Sequence, residues 1–244
     1  MRMRIGALLL LTCVTQAAIS RETVRIVAFQ GLHKPAQYGL AKLTEAVSDH
    51  NLAVVRVDSV EGADEAHLII AGLASHEAVA KLITGQGLAV PDRPQALTIA
   101  RIRNDNRSTV VLCGGDAVGL MYAALDTAER IRWAGPEEDL FAHVRNTVES
   151  PCLTDRSVST YTMQRRLFEQ RLYDATYWER YFDLLAESRI NSYVIIFGYE
   201  NGGFMAPMYP YFFDVEGFPD IQLVGISDQE QAKNVAALRR VIQL

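Results

Sequence analysis

Residues 96–133 read ALTIARIRNDNRSTVVLCGGDAVGLMYAALDTAERIRW. Two largely apolar runs, 96–103 and 109–113, flank Asn104-Asp105-Asn106, a pattern that predicts a β-hairpin. Gly114-Gly115-Asp116 then breaks the second strand and caps a long helix over roughly residues 117–133. A glycine pair between strand and helix is also where a phosphate loop would sit. This one is too short for G-x-G-x-x-G and lacks the lysine of a Walker loop. A tight turn leading into an N-cap accounts for it.

Upstream of the hairpin, strands and helices alternate. Residues 24–29 and 52–57 read as strands, and 67–71 as a short buried strand. Residues 35–47 have helical spacing at Leu40, Leu43 and Val47. Ser75 is expected to cap a helix to about Ile83, with Ala78, Val79 and Leu82 on one side. The result is a small α+β unit.

Downstream, Gly135-Pro136-Glu137-Glu138-Asp139 opens a connector that runs to Pro151. A second region begins near Arg156. Residues 158–163 are strand-like, and 177–188 predict an amphipathic helix with Tyr181, Leu184 and Leu185 inward. Ser192-Tyr193-Val194-Ile195-Ile196-Phe197-Gly198 is the strongest strand, apolar enough to be a parallel strand buried on both faces. After a long loop, Ser227 and Glu230 form a capping box for a helix that runs to the last residue. Strand, helix, buried strand, loop, helix is the opening of a βα repeat. A (β/α)8 barrel takes about 250 residues. The 89 residues from Arg156 to Leu244 hold two βα units, so the expectation is the front part of a longer protein.

Composition narrows the function. The 244 residues carry a formal charge of −5, with 49% apolar and 22% charged residues. Those are globular values. The acidic balance argues against a nucleic-acid partner. Met1-Arg2-Met3-Arg4, an apolar run over 5–14 and Ala17-Ala18-Ile19-Ser20 make residues 1–20 a cleavable signal peptide. The run is too short for a stable membrane span, which needs about 20 residues. The mature chain is therefore expected to be secreted or periplasmic. Three cysteines are too few for a disulfide-built fold. Cys113 and Cys152 would remain after cleavage, either paired or with Cys113 as a buried core thiol. The five histidines show no metal-ligand spacing, and no cofactor motif is present.

Residues 96–133 resemble the end of the small N-terminal domain of family 20 β-N-acetylhexosaminidases and family 67 α-glucuronidases. The helix motif G-x-x-Y-G stands here as Gly119-Leu120-Met121-Tyr122-Ala123. The segment from Pro151 through Arg156 to Ser157 resembles the hexosaminidase P-x-F-x-x-R-G at the first barrel strand. In the following L-D-x-x-R-H-F, Tyr161 takes the Asp position and Gln164 the Arg position. The run Tyr177-Trp178-Glu179-Arg180-Tyr181-Phe182-Asp183-Leu184-Leu185-Ala186, then Ile190-Asn191, resembles the first barrel helix entering the second strand. The resemblance implies an α+β domain (21–135) without chemistry of its own, a linker (136–155), and the first two βα units of an incomplete (β/α)8 (TIM) barrel (156–244). It also implies an exported glycoside hydrolase.

Glycosidic hydrolysis needs two carboxyl groups flanking the scissile bond. In the resembling families these lie beyond the second barrel strand, so no catalytic residue is assigned. The expected partner is an oligosaccharide or polysaccharide. Barrel sites sit at the C-terminal ends of strands. Candidate sugar contacts are Arg156, which the resemblance assigns to sugar hydroxyls, with Gln164 and Arg165 after the first strand and Tyr199, Glu200 and Asn201 after the second. Arginines and amides fork hydrogen bonds to vicinal hydroxyls or a sugar carboxylate. The rings of Phe204, Tyr209, Tyr211, Phe212, Phe213 and Phe218 either stack on sugars or pack internally. The alternative function is a non-catalytic carbohydrate-binding or interaction protein.

Overall fold

The computed structural model describes residues 22–62, 65–104, 107–159, 164–195 and 209–244. In chain order the elements are β1 (Thr23–Ala28), α1 (Lys34–Ser48), β2 (Ala53–Val57), β3 (His67–Leu73), α2 (Glu77–Gly85), β4 (Leu97–Asn104), β5 (Arg107–Gly114), α3 (Ala117–Arg132) and β6 (Thr147–Glu149). Then come β7 (Ser157–Val158), α4 (Arg165–Tyr173), α5 (Ala175–Glu187), β8 (Ser192–Tyr193), a 3-10 turn at Tyr209–Tyr211 and α6 (Asp228–Gln243). The architecture is mixed α/β with a mainly parallel sheet.

The first nine elements build one layered unit. Its six strands lie in the order β2-β1-β3-β5-β4-β6. β2, β1, β3 and β5 are mutually parallel; β4 runs antiparallel to β5, and β6 antiparallel to β4. Alternation of side chains splits the strands between two cores. Val24, Ile26, Ile69, Val110, Leu112, Leu97 and Ile99 face α1 and α3, joined by Leu140, Phe141 and Val144. Val27, Leu68, Ile70, Val111, Cys113 and Ala100 face α2 through Val79 and Ile83. Cys113 is a free thiol whose burial pushes its pKa up to about 12, and Cys152 is free and exposed.

The 96–133 reading holds. Leu97 faces Gly114 and Arg103 faces Ser108 across the hairpin. Asp116 caps α3 by accepting a hydrogen bond from the Gly119 N–H at 2.7 Å. The glycines here serve close packing. A Cβ on Gly115 would lie 2.2 Å from the Arg93 carbonyl oxygen, and one on Gly119 would lie 2.1 Å from that of Ala96.

Other expectations need correction. Ser75 does not cap α2: His76 holds the N-cap position without a side-chain bond, its ring stacked on Phe29 at 3.7 Å. On α5 the buried residue is Trp178, while Leu184 is 55% exposed. Residues 165–173 form α4, a helix that the sequence pattern does not announce; its i,i+4 pair Arg165–Glu169 spans one turn. β7 and β8 are two-residue strands, although they pair in parallel as expected, Ser157 opposite Ser192. Residues 160–163 and 196–208 of the two strand and loop expectations lie outside the described residues, as does the 1–20 segment. The Ser227–Glu230 capping box is present on α6. Among the described residues no helix is long and apolar enough to cross a membrane.

Candidate functional site

α5 stands between the six-stranded layer and β8, and the junction leaves a cleft of about 690 Å³. Its floor is apolar: Val118 and Met121 of α3, Phe182 and Leu185 of α5, and Val241 of α6. Its rim is polar and charge-balanced. Asp183 accepts from the Tyr38 hydroxyl at 2.6 Å and from the Lys42 ammonium at 2.8 Å. Burial and the Asp183 carboxylate together push the Tyr38 pKa far up, and the bond to Asp183 raises that of Lys42. With both oxygens engaged by Tyr38 and Lys42, Asp183 is a joint between α1 and α5.

A second junction lies at the N-terminal ends of β7 and β8, where Arg156 and Asn191 sit side by side. The Arg156 guanidinium donates to the Arg189 carbonyl (2.6 Å), the Leu153 carbonyl (2.7 Å), the Gln95 side-chain oxygen (2.6 Å) and the Tyr122 hydroxyl (3.2 Å). It also lies over the Tyr122 ring, 5.8 Å from its centroid. Asn191 accepts from the Arg156 N–H and donates to Gln95 and to the Thr154 carbonyl. Tyr122, from the G-x-x-Y segment, lines both the large cleft and a smaller one of about 340 Å³ beside Arg189.

Gln164 and Arg165 lie beyond the other end of β7. Gln164 is the N-cap residue of α4, and Arg165 begins that helix. Arg165 binds Glu169 at 2.7 Å, which raises its pKa further, and stands over the Tyr211 ring. Glu169 also accepts from the Tyr211 hydroxyl at 2.8 Å. Tyr199, Glu200 and Asn201 lie outside the described residues. Arg156 is thus separated from Gln164 and Arg165 by the length of β7 and the segment leading into α4. Of the loop aromatics, Tyr211 and Phe212 are buried against Leu172 and Leu238. Phe213, Tyr209 and Phe218 are exposed. Phe204 lies outside the described residues.

Sequence reading missed Gln95, Tyr38, Asp183 and Asn191. Nothing in a lone Gln or Tyr announces a partner far along the chain; only Asn191, next to a strand, carried any local signal.

No family model matches the sequence, and no curated protein sequence is similar to it. Solved structures do share its fold. A GH138 enzyme targeting pectin rhamnogalacturonan II aligns over 90% of this chain with a TM-score of 0.61 at 13% identity. CpGH84D, also a glycoside hydrolase, aligns over 91% with a TM-score of 0.50 at 9% identity. The chain spans 29% of the first and 39% of the second. Its fold is glycoside-hydrolase-like, and at these identities the likeness concerns the fold alone.

Proposed function

We propose that the chain is the N-terminal part of an exported glycoside hydrolase acting on O-glycosidic bonds in carbohydrates. In this reading residues 21–135 form an accessory α+β unit, to which the linker of 136–155 adds β6 and the core residues Leu140, Phe141 and Val144, and residues 156–244 are the first two βα units of a (β/α)8 catalytic barrel. The observation that carries it is the alignment of nine-tenths of the chain with under a third of a GH138 enzyme. The parallel β7–β8 pair followed by α6 agrees with a barrel opening. The glycan face lies at the C-terminal ends of the strands, with Gln164 and Arg165 after β7 and Tyr199, Glu200 and Asn201 after β8. The two catalytic carboxyl groups come from strands beyond residue 244.

The test is to read the coding frame past codon 244 and assay the complete product on aryl glycosides. About six further βα units with two acids at strand ends, and hydrolysis abolished by replacing either acid, are expected. A stop codon, or a continuation lacking such acids, overturns the enzymatic reading and leaves a carbohydrate-binding protein to be tested by glycan retention.

A further inference from the structure

Two residues flanking Arg156 have a backbone that side chains disfavour. Gln95 has φ 63° and Arg189 has φ 59°. The left-handed region crowds the Cβ of an ordinary residue, and glycine or asparagine normally fills it. The one other non-glycine case among the described residues is Asn51, in the α1–β2 turn, which is of the tolerant type.

Arg189 occupies the position where glycine usually ends a helix. The Arg189 N–H donates to the Ala186 carbonyl and the Ile190 N–H to the Leu185 carbonyl, the paired bonds of a Schellman cap on α5. An arginine in that slot gains what glycine lacks. Its guanidinium pairs with Glu149 on β6 and Asp126 on α3, and its carbonyl receives Arg156. Gln95 is the mirror case on the other side. Its side-chain oxygen takes bonds from both Arg156 and Asn191. Both departures from glycine therefore converge on one guanidinium, and each of the four bonds that guanidinium makes ends on a group of this chain.

We infer that Arg156 is the docking residue that seats residues 156–244 on the six-stranded layer, with Gln95 and Tyr122 as its receptor, and that it does not contact glycan. It lies at the N-terminal end of β7, opposite the end where a barrel site forms. The docking role rests on the bond network alone and is the same whatever the chain acts on; the statement about glycan rests on the proposed barrel.

Gln95→Gly separates docking from local stability, since it relieves the backbone and at the same time removes the Gln95 oxygen that Arg156 and Asn191 share. The full chain, Gln95→Gly, Arg156→Met and the double variant are compared by calorimetry and by thermolysin cleavage at Leu153, whose carbonyl Arg156 holds. In Gln95→Gly the layer should melt no lower than in the parent, while cleavage at Leu153 quickens about tenfold. Arg156→Met should quicken it as much, and the double variant no more than either. Additive effects, or Gln95→Gly leaving Leu153 protected, overturn the inference. So does loss of retention on polysaccharide gels in Arg156→Met with Leu153 still protected, which would make Arg156 a sugar contact.

Discussion

The six-stranded layer and the region after it are built on different terms. The layer has long strands, a core on each face and helices covering both. Among its described residues the later region has two-residue strands, one small core around Leu172, Tyr211, Phe212, Ala237 and Leu238, and several exposed apolar side chains, Val224 and Ile242 among them. The layer is stabilised by burial, which is non-directional and sums over many residues. The later region is held by helix caps, a few buried rings and directional bonds back to the layer. It should therefore be the first part to open.

That contrast can be broken at its strong side. Phe141 is fully buried in the core that α1 and α3 share with the sheet, its ring edge-on to His67 of β3. Phe141→Ala should cost about 3–5 kcal/mol in chemical denaturation and melt the layer and its dependent region together. If only the later region opened, the dependence between the two would run the wrong way. The matching change in the small core is milder. Tyr211→Phe keeps the ring but deletes the bond to the Glu169 carboxylate, so about 1–2 kcal/mol should go from the later region alone.

Helix caps extend the contrast, because side-chain N-caps occur on both sides of it: Asp116 on α3 in the layer, and Asp174 on α5 and Ser227 on α6 after it. Asp116→Ala and Ser227→Ala should each cost about 1 kcal/mol, the first read in the layer's transition and the second in that of α6. The Ser227 box also carries a pH signature. Bonds from the Ser227 N–H and hydroxyl hold Glu230 below the ordinary carboxylate pKa of 4.5. A depressed folded-state pKa means the box is fully present above 4.5 and is lost as pH falls through the lower folded value. Circular dichroism of the acid limb should show this loss, and Glu230→Gln should remove it. At the small end, Phe218 is 61% exposed. Phe218→Ala should move stability by no more than about 0.5 kcal/mol, and a larger fall would show the loop to be part of a core.

Legibility followed the same division. The hairpin, the Asp116 cap and the Ser227 box are readable because each is a local signal, a few residues whose chemistry decides their own conformation. The parallel pairing of β7 and β8 is readable, but the two-faced burial expected of the run beginning at Ser192 is not found at Val194, which is 44% exposed. On α5 the apolar spacing alone misplaces the inward face. Trp178, with Tyr193 against it at 5.4 Å, sets the buried stripe and leaves Leu184 outside. α4 is hidden because Arg165, Arg166, Glu169 and Arg171 dominate its composition and only Leu172 is buried. The docking cluster is invisible for a different reason. Left-handed backbone at a glutamine or an arginine leaves no mark in composition, and its reward comes from partners far away in the chain, Arg156 for Gln95 and Glu149 for Arg189. Arg156 itself stands out in the sequence, but the side of the strand on which it works does not.

The last buried member of the layer's two cores is Val144. During synthesis, every buried residue of both cores has been joined to the chain before Arg156 is added. The 100 residues after Val144 take about 5–20 s to make at the usual rate of translation. Domains of this size fold far faster than that. A nascent layer can therefore finish first and hold out Gln95 and Tyr122 as a ready template, so that the weaker region is assembled against a surface already in place.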